Sequence, residues 1–326
     1  MLKGLIAALL CAACLQSIGP AQAQSQSYPN RPIKLVVPFP AGGPTDGMAR
    51  IISDRLGVVL GQTVVVENRG GGAGGSIGAK AVATADPDGY TILITPGGSL
   101  TSGPAVHSNI GYDPVKAFIP VCQLIDTPQV LAVHHDVPVR TPNELVAYAK
   151  ANPGKVSWGS QGFGTAPHLL VEMFKLETGA PVVHVPYRGT APMLGAVVAN
   201  EVQVVIDPLT TVLPHIQSGV LRALAITSTE RSPKLPDVPT VIEVGFPYLQ
   251  GTFWLGVVAP AGTPGDIIKK LNAAFRESVA PAETRARLDA LGADIKVGTP
   301  AEFEKMLADE LAKWTAVVKA ANIKVE

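Results

Sequence analysis

Residues 33–46 read IKLVVPFPAGGPTD, and this stretch decides the fold class. Its first part, Ile33–Val37, is an aliphatic, β-branched run that stops at Pro38. Such a run predicts a buried strand, because proline cannot donate to a sheet ladder. A loop of glycine and proline follows, and apolar residues then recur at helical spacing over 45–60. The stretch is therefore one strand–loop–helix unit of an α/β protein.

The same unit recurs along the rest of the chain. Further strands are predicted at residues 64–66, 90–94, 119–125, 130–133, 156–159, 182–185, 202–206, 221–227 and 253–259. Helices are predicted at residues 77–85, from 141, from the loop 160–167 onward, and at 190–198, 263–279 and 299–321. Capping-box patterns mark the starts at Thr141 and Thr299, and Thr263 is expected to act as an N-cap. Strands that alternate with helices imply βαβ units and a mainly parallel sheet.

The N-terminal residues indicate export. Lys3 supplies a positive charge, residues 5–15 form a short apolar run, and Ala21-Gln22-Ala23 is a small-x-small cleavage pattern. Together they predict a signal peptide over residues 1–23, cleaved near Ala23, since the apolar run is too short to span a bilayer. Lipidation of Cys14 is the alternative, but Cys11 stands where a lipobox usually has leucine.

Length and composition describe an ordinary globular protein with two cores. Removal of the signal peptide leaves about 300 residues, too many for one typical core. No flexible linker is evident, so the chain is expected to cross between two lobes on strands, as in a hinged binder, with 221–227 as a candidate crossing. The formal net charge is zero, which gives no field to attract nucleic acid. Cys122 alone would remain of three cysteines, and its apolar neighbours predict a buried thiol.

Three predicted helices begin directly after a strand, at a loop of small residues. These loops are Gly42–Thr45, Gly162–Thr165 and Arg188–Thr190. A helix start presents unsatisfied N–H groups and a partial positive charge, and glycine lets a ligand approach the backbone. The three loops therefore predict a carboxylate site, although glycine and threonine could serve only as turns and caps.

Two other patterns suggest chemistry and were weighed against this site. Gly70, Gly72 and Gly75 fit GxGxxG, but glycines and alanines surround them and no suitable acidic residue follows, so a tight turn is favoured over a dinucleotide site. His134 and His135 are adjacent, so on a strand they would face opposite sides and make a poor metal pair. No cofactor and no metal are expected.

A hydrolase is the alternative from another functional class. Ser160, His168 and Asp207 could form a catalytic triad, but the GxSxG elbow is absent around Ser160. Asp207 could equally line a cleft or cap a helix. Arg188 could face the cleft or the solvent, and Trp254 is a candidate apolar wall or a core residue.

Several motifs taken together resemble one family. The chain is similar to the Bug-type receptors of tripartite tricarboxylate transporters, and the similarity covers essentially all of it after residue 27. The matching segments are Tyr28–Ile33, Val36–Asp46, Val64–Arg69, Gly74–Gly78, Pro87–Thr91, Tyr112–Lys116, Val185–Gly189, Leu213–Ile216 and Leu221–Ala225.

This resemblance implies a type II periplasmic-binding-protein fold. Residues 24–124 and 228–326 would form lobe 1 and residues 125–227 lobe 2, joined by crossing strands. Backbone N–H groups and ordered waters would recognise a carboxylate. The sequence departs from the family pattern at 96–109, where Pro-Gly-Gly-Ser stands instead of a Ser/Thr-rich run, which weakens the case for Ser99. Phe163, in a stretch that is usually small or polar, favours a longer or aromatic ligand.

The sequence thus predicts a monomeric periplasmic receptor without enzymatic activity. It would capture a dicarboxylate or aromatic carboxylate and deliver it to the membrane components of a tripartite tricarboxylate transporter. A secreted serine hydrolase and a ligand-sensing partner of a sensor kinase are the alternatives. The candidate ligand-binding residues are Phe39, Ala41, Gly42, Gly43, Thr45, Asp46, Ser99, Ser160, Phe163, Gly164, Thr165, His168, Tyr187 and Asp207.

Overall fold

The computed structural model describes residues 28–107 and 109–323. The signal peptide predicted over residues 1–23 lies outside the described residues. Within the described part of the chain, no helix combines the length and the apolar character that crossing a bilayer requires.

The described chain folds into alternating strands and helices. The strands are β1 Ile33–Val37, β2 Val64–Asn68, β3 Thr91–Thr95, β4 Phe118–His134, β5 Ser157–Ser160, β6 Val183–Pro186, β7 Val204–Pro208, β8 Leu221–Ile226, β9 Thr252–Pro260 and β10 Asp294–Ile295. The helices are α1 Pro44–Leu60, α2 Ser76–Ala83, α3 Ser102–Val106, α4 Pro142–Ala151, α5 Ala166–Thr178, α6 Thr190–Val198, α7 Leu209–Gln217, α8 Gly265–Ser278, α9 Ala282–Ala290 and α10 Pro300–Ala320. Short 3₁₀ turns lie at Ala73–Gly75, Gly97–Ser99 and Pro247–Leu249.

The strands follow the order β2-β1-β3-β9-β4-β7-β5-β6, with β8 and β10 also paired to β4. Strand β1 runs parallel to β2 and β3, and β5 runs parallel to β6 and β7, as βαβ units require. Strand β9 is antiparallel to both β3 and β4. The sheet is therefore mixed where the chain returns and parallel where the crossover helices lie.

Strand β4 connects the two halves of the sheet. Residues 118–128 pair with β9, whereas residues 129–134 pair with β7 and β8. The two strands predicted at 119–125 and 130–133 are thus one strand of 17 residues. Polar residues at Asp126, Thr127 and Gln129 interrupt the apolar pattern between the two halves, which explains the missed continuity.

Strand β8 does not make the crossing that the sequence suggested. It pairs with residues 130–134 of β4 and stays within the second half of the sheet. The chain returns to the first half later, where Gly251 N–H donates to the Thr227 carbonyl at 3.0 Å and β9 begins at Thr252.

Buried apolar side chains form separate clusters on the two halves. One joins β1 to helices α1 and α8 through Leu35, Ile52 and Phe275. Another surrounds Trp158, whose ring meets that of Phe174 edge to face at 5.0 Å between centroids. Cys122 is fully buried in the first cluster, as predicted, and burial raises the pKa of its thiol.

The helix starts follow the predicted caps in part. Thr299 and Glu302 form a full capping box. Thr141 accepts from the Glu144 N–H at 3.1 Å, but the Glu144 carboxylate accepts from Arg140 N–H instead of closing the box. Thr263 is not a cap, because its hydroxyl donates to the Pro260 carbonyl and α8 begins only at Gly265.

Candidate ligand-binding site

A cleft lies between the two halves of the sheet. The loop after β1 contributes Phe39, Pro40, Ala41, Gly43 and Thr45. The loops after β5 and β6 contribute residues 165–167 and 188–192 from the opposite side. The three small-residue loops that the sequence singled out therefore meet at one place, at the carboxyl ends of parallel strands, where open α/β sheets bind ligands.

The first loop is held in shape by its own hydrogen bonds. Gly42 adopts a left-handed φ of +84°, and its N–H donates to Asp46 Oδ2 at 2.9 Å. Asn68 Nδ2 also donates to the Phe39 carbonyl, at 3.1 Å. Burial acts to raise the pKa of Asp46, but hydrogen bonds from Arg50 and Gly42 outweigh it, and the pKa lies below its usual value. Asp46 is therefore an ionised anchor of the loop and turns away from the cleft.

The second and third loops leave their helix starts open. Thr165 precedes α5, and its hydroxyl donates to the Gly162 carbonyl at 2.8 Å instead of capping the helix. Gly189 precedes α6 with φ +105° and has no side chain. None of these three described N-cap residues, Gly43, Thr165 and Gly189, accepts a hydrogen bond from its helix through a side chain. The first N–H groups of three helices thus face one cleft without a side-chain acceptor at their caps.

This arrangement suits a carboxylate. Unsatisfied N–H groups and the partial positive charge at a helix start favour an anion, and small residues allow its close approach. Arg188 adds a formal positive charge at the edge of the cleft, where its side chain is exposed. Phe39, Phe253 and Trp254 supply apolar walls for the rest of a ligand.

A second cavity adjoins the first. Phe163 and Tyr187 line it together with the glycine-rich segment 70–75 and His107. Phe163 is 46% exposed, which is unusual for its size. The weak GxGxxG match at 70–75 thus forms a cavity wall and the 3₁₀ turn before α2.

Several candidate residues do not line the cleft. Their side chains or backbone groups contact other parts of the protein; these residues are Gly42, Asp46, Ser99, Ser160, Gly164, His168 and Asp207. Ser99, for example, is fully buried and donates to the Gly74 carbonyl at 2.9 Å. Loop position alone does not tell which way a side chain turns, so their assignment as ligand contacts stays a prediction.

The hydrolase triad is not assembled. Ser160 Oγ lies 2.7 Å from Nε2 of His184, not from His168, and Ser160 is fully buried. His168 and His184 stack at 4.6 Å between ring centroids, and burial lowers the pKa of each imidazole to about 4. Both rings are therefore neutral at pH 7 and form a buried network with the loop after β5.

Asp207 is held in a separate network. Its carboxylate accepts from Gln161 Nε2 and from the Thr211 hydroxyl. Complete burial raises its pKa to about 7, against the opposing effect of those two hydrogen bonds. Asp207 thus positions Gln161, which does line the cleft.

Histidine and acidic side chains group together twice in the described residues. His134 is the last residue of β4 and His135 lies beyond the strand, so the centres of their rings are 4.3 Å apart. The expectation that the two rings face opposite sides was wrong. His168, Glu172 and His184 also lie close together. In that second group Lys175 occupies both Glu172 oxygens, which leaves a hydrogen-bond network and not an open ligand set.

Sequence reasoning missed four polar residues of the cleft: Gln129, Gln161, Thr252 and Glu310. A polar residue inside the apolar run of β4 was a usable signal for Gln129. Glu310 on α10 had none, because charged residues also cover the solvent face of that helix.

Comparison with known proteins identifies the family. The model of the tripartite tricarboxylate transporter family receptor, TctC, matches residues 48–323. This chain belongs to that family.

Relatives of this receptor are similar over almost their whole length. Protein BugT of Bordetella pertussis is 39% identical over 311 residues, which cover 94% of each chain. The structure of periplasmic binding protein BugD aligns with a TM-score of 0.85 and 36% identity, over 92% of this chain and all of that one. R. palustris Rpa4515 with adipate aligns with a TM-score of 0.85 and 36% identity, over 91% of this chain and 99% of that one.

These findings confirm the family resemblance and the mixed α/β periplasmic-binding-protein fold. Like its relatives, the TctC receptor described here is a solute-binding protein and not an enzyme. Its structural relatives include periplasmic proteins, which agrees with the export predicted from the sequence.

Proposed function

We propose that this receptor captures a small carboxylate in the cleft between its lobes and delivers it to the membrane components of a tripartite tricarboxylate transporter. One observation supports this most: the starts of α1, α5 and α6 converge on one cleft. The ligand's carboxylate would accept from their N–H groups, and its remaining atoms would contact Phe39, Phe253 and Trp254. The adipate in the relative from R. palustris supports a dicarboxylate as the ligand. The exposed ring of Phe163 supports an aromatic acid, which it could contact.

The proposed protein is a periplasmic monomer, cleaved near Ala23, with two lobes that close. We keep, with one refinement, the predicted division into lobe 1, residues 24–124 and 228–326, and lobe 2, residues 125–227. Val241, Phe246 and Leu249 pack in the cluster around Trp158, so we place the second boundary near residue 251. Part of α10 also packs there through Trp314 and would tie the lobes together.

Contacts between the proposed lobes already exist. Gly74 N–H donates to the Phe163 carbonyl at 3.2 Å, and the Ser102 hydroxyl donates to the Gly164 carbonyl at 2.8 Å. They support a closed form in which the cleft excludes water, which strengthens hydrogen bonds to a bound anion.

The test deletes single amide donors at the helix starts. Ala166→Pro and Thr190→Pro each place proline at the first position of α5 or α6, where a helix tolerates it. Ala282→Pro makes the same change at the start of α9, whose residues do not line the cleft. A thermal-shift screen of carboxylic acids first supplies a ligand, and calorimetry then measures its affinity.

We expect about tenfold to hundredfold weaker binding for each cleft variant, because each loses a hydrogen bond to a charged group. The Ala282→Pro control should bind as the wild type does. Equal affinities for all three variants would refute recognition by the helix starts. Delivery is tested separately, by ligand uptake into vesicles that hold the transporter's membrane components, with and without the receptor.

A further inference from the structure

One acidic side chain faces the same cleft as the three helix starts. Glu310 projects from α10 and lines the cleft together with Trp254 and Gly97. Trp254 Nε1–H donates to both carboxylate oxygens, at 3.0 and 2.9 Å, and the Thr101 hydroxyl donates to Oε2 at 2.7 Å. These donors fix the orientation of the carboxylate.

Glycine at position 97 keeps this carboxylate open to the cleft. A Cβ atom there would lie 3.1 Å from Glu310 Oε2 and 2.9 Å from Thr101 Oγ1. Any larger side chain would therefore cover Glu310.

Glu310 forms no ion pair within 4 Å among the described residues, although the charge of Lys313 acts to lower its pKa. Lys313, one turn along α10, donates to the Gln250 carbonyl at 2.8 Å and lies 4.8 Å from the centre of the Trp314 ring. Burial raises the pKa of Glu310 and outweighs the hydrogen bonds from Thr101 and Trp254 and the charge of Lys313, which act to lower it. The cleft is thus bipolar, with helix starts and Arg188 on one part of its wall and an acceptor group on another.

We propose that Glu310 selects the group at the far end of the ligand, which should be a hydrogen-bond donor. The preferred ligand is then an acid whose carboxylate contacts the helix starts and whose amino or hydroxyl group donates to Glu310. A second carboxylate at that end of the ligand would face the Glu310 carboxylate, and the two acceptors would repel each other. This inference rests on the proposed function but disfavours the dicarboxylate that the adipate of the R. palustris relative supports.

The experiment compares acids that differ only at the far end. ω-Amino acids and dicarboxylates of equal chain length, from three to six carbons, are titrated into the wild type, Glu310→Gln and Glu304→Gln by calorimetry. Glu310→Gln keeps the shape and can still accept from Trp254. Glu304→Gln makes the same change on an exposed part of α10 and serves as the matched control.

We expect the wild type to bind the best ω-amino acid at least tenfold more tightly than the dicarboxylate of the same length. Glu310→Gln should reduce that ratio by about tenfold or more, since a hydrogen bond to a charged group is lost, and Glu304→Gln should leave it unchanged. Gly97→Ala is the second variant. It keeps the charge of Glu310 but covers it, and should reduce the ratio in the same direction.

Two other results decide against the proposal, and a third decides against the proposed function. A wild-type preference for the dicarboxylate overturns it, and so does a ratio that Glu310→Gln and Gly97→Ala both leave unchanged. If no acid of either series binds the folded wild type while Ala166→Pro also has no effect on any carboxylate, the proposed function itself fails. Circular dichroism confirms that each variant is folded.

Discussion

Replacing Gly164 by alanine should weaken ligand binding far more than it weakens the fold. Gly164 has a left-handed φ of +76° and lies two residues before the first residue of α5. A Cβ atom there would lie 3.1 Å from Gly103 Cα, 3.4 Å from Gly74 N and 3.4 Å from the His107 ring. Those three neighbours belong to lobe 1 of the proposed division, whereas Gly164 belongs to lobe 2.

Two costs can be separated. The left-handed φ costs an alanine about 1–2 kcal/mol in either the open or the closed form, and therefore lowers the free energy of unfolding. The new contact affects only the closed form, because the lobes must separate by a few tenths of an ångström. The interlobe hydrogen bonds of Gly74 and Ser102 are then weakened, at about 1 kcal/mol each. A closure cost of about 2 kcal/mol corresponds to roughly thirtyfold weaker binding.

Gly154→Ala is the matched control. Gly154 has nearly the same φ, +78°, but a Cβ atom there would have nothing within 4 Å. Both variants should lose about 1–2 kcal/mol in chemical denaturation, and only Gly164→Ala should lose affinity in calorimetry. If the two bind equally well, the contacts between Gly164 and lobe 1 do not control closure, and the reasoning is refuted.

Three further outcomes follow from the buried groups and caps. Asp207 has a pKa raised to about 7 by burial, so its contribution to stability is present below pH 4 and lost as the pH rises through 7. Asp207→Asn should then gain on the order of 4 kcal/mol relative to the wild type between pH 4 and pH 8 in urea denaturation. His168 has a pKa lowered to about 4, so its contribution is present above pH 6.5 and lost as the pH falls through 4. His168→Gln should remove on the order of 3 kcal/mol of that acid sensitivity, and an unchanged acid transition would contradict it. Thr299→Ala should cost about 1 kcal/mol of unfolding free energy with no change in ligand affinity.

The first α/β unit was predicted almost to the residue, because proline and glycine set the boundaries of its strand and helix. Proline ends β1, and proline and glycine open α1, so the strand Ile33–Val37 agrees fully and the helix starts one residue earlier than expected. The long strand β4 was divided in two, because polar residues usually mark loops. Here Thr127 and Gln129 are buried between the halves of the sheet, so tertiary contacts override the local pattern.

The candidate site divided along a similar line. Loops could be placed from sequence, because a helix that starts after a parallel strand must start at the same edge of the sheet. Side-chain directions could not. His168 and Asp207 belong to the right segments, but each turns inward toward partners that are distant in sequence or unremarkable in it, such as His184 and Thr211. Glu310 reaches the cleft only because α10 packs across both halves.

The proposed recognition by backbone amides would explain how a chain of zero net charge could bind an anion. Amide donors at a helix start carry partial charge without titrating, and their desolvation cost is much smaller than that of a buried lysine or arginine. The cleft could therefore bind an anion without a buried lysine or arginine that would be unpaired when no ligand is bound. Glu310, the acidic side chain that lines the cleft, would then act mainly by excluding a second carboxylate. The helix starts would provide the affinity for a carboxylate, and Glu310 would decide which carboxylates can use it.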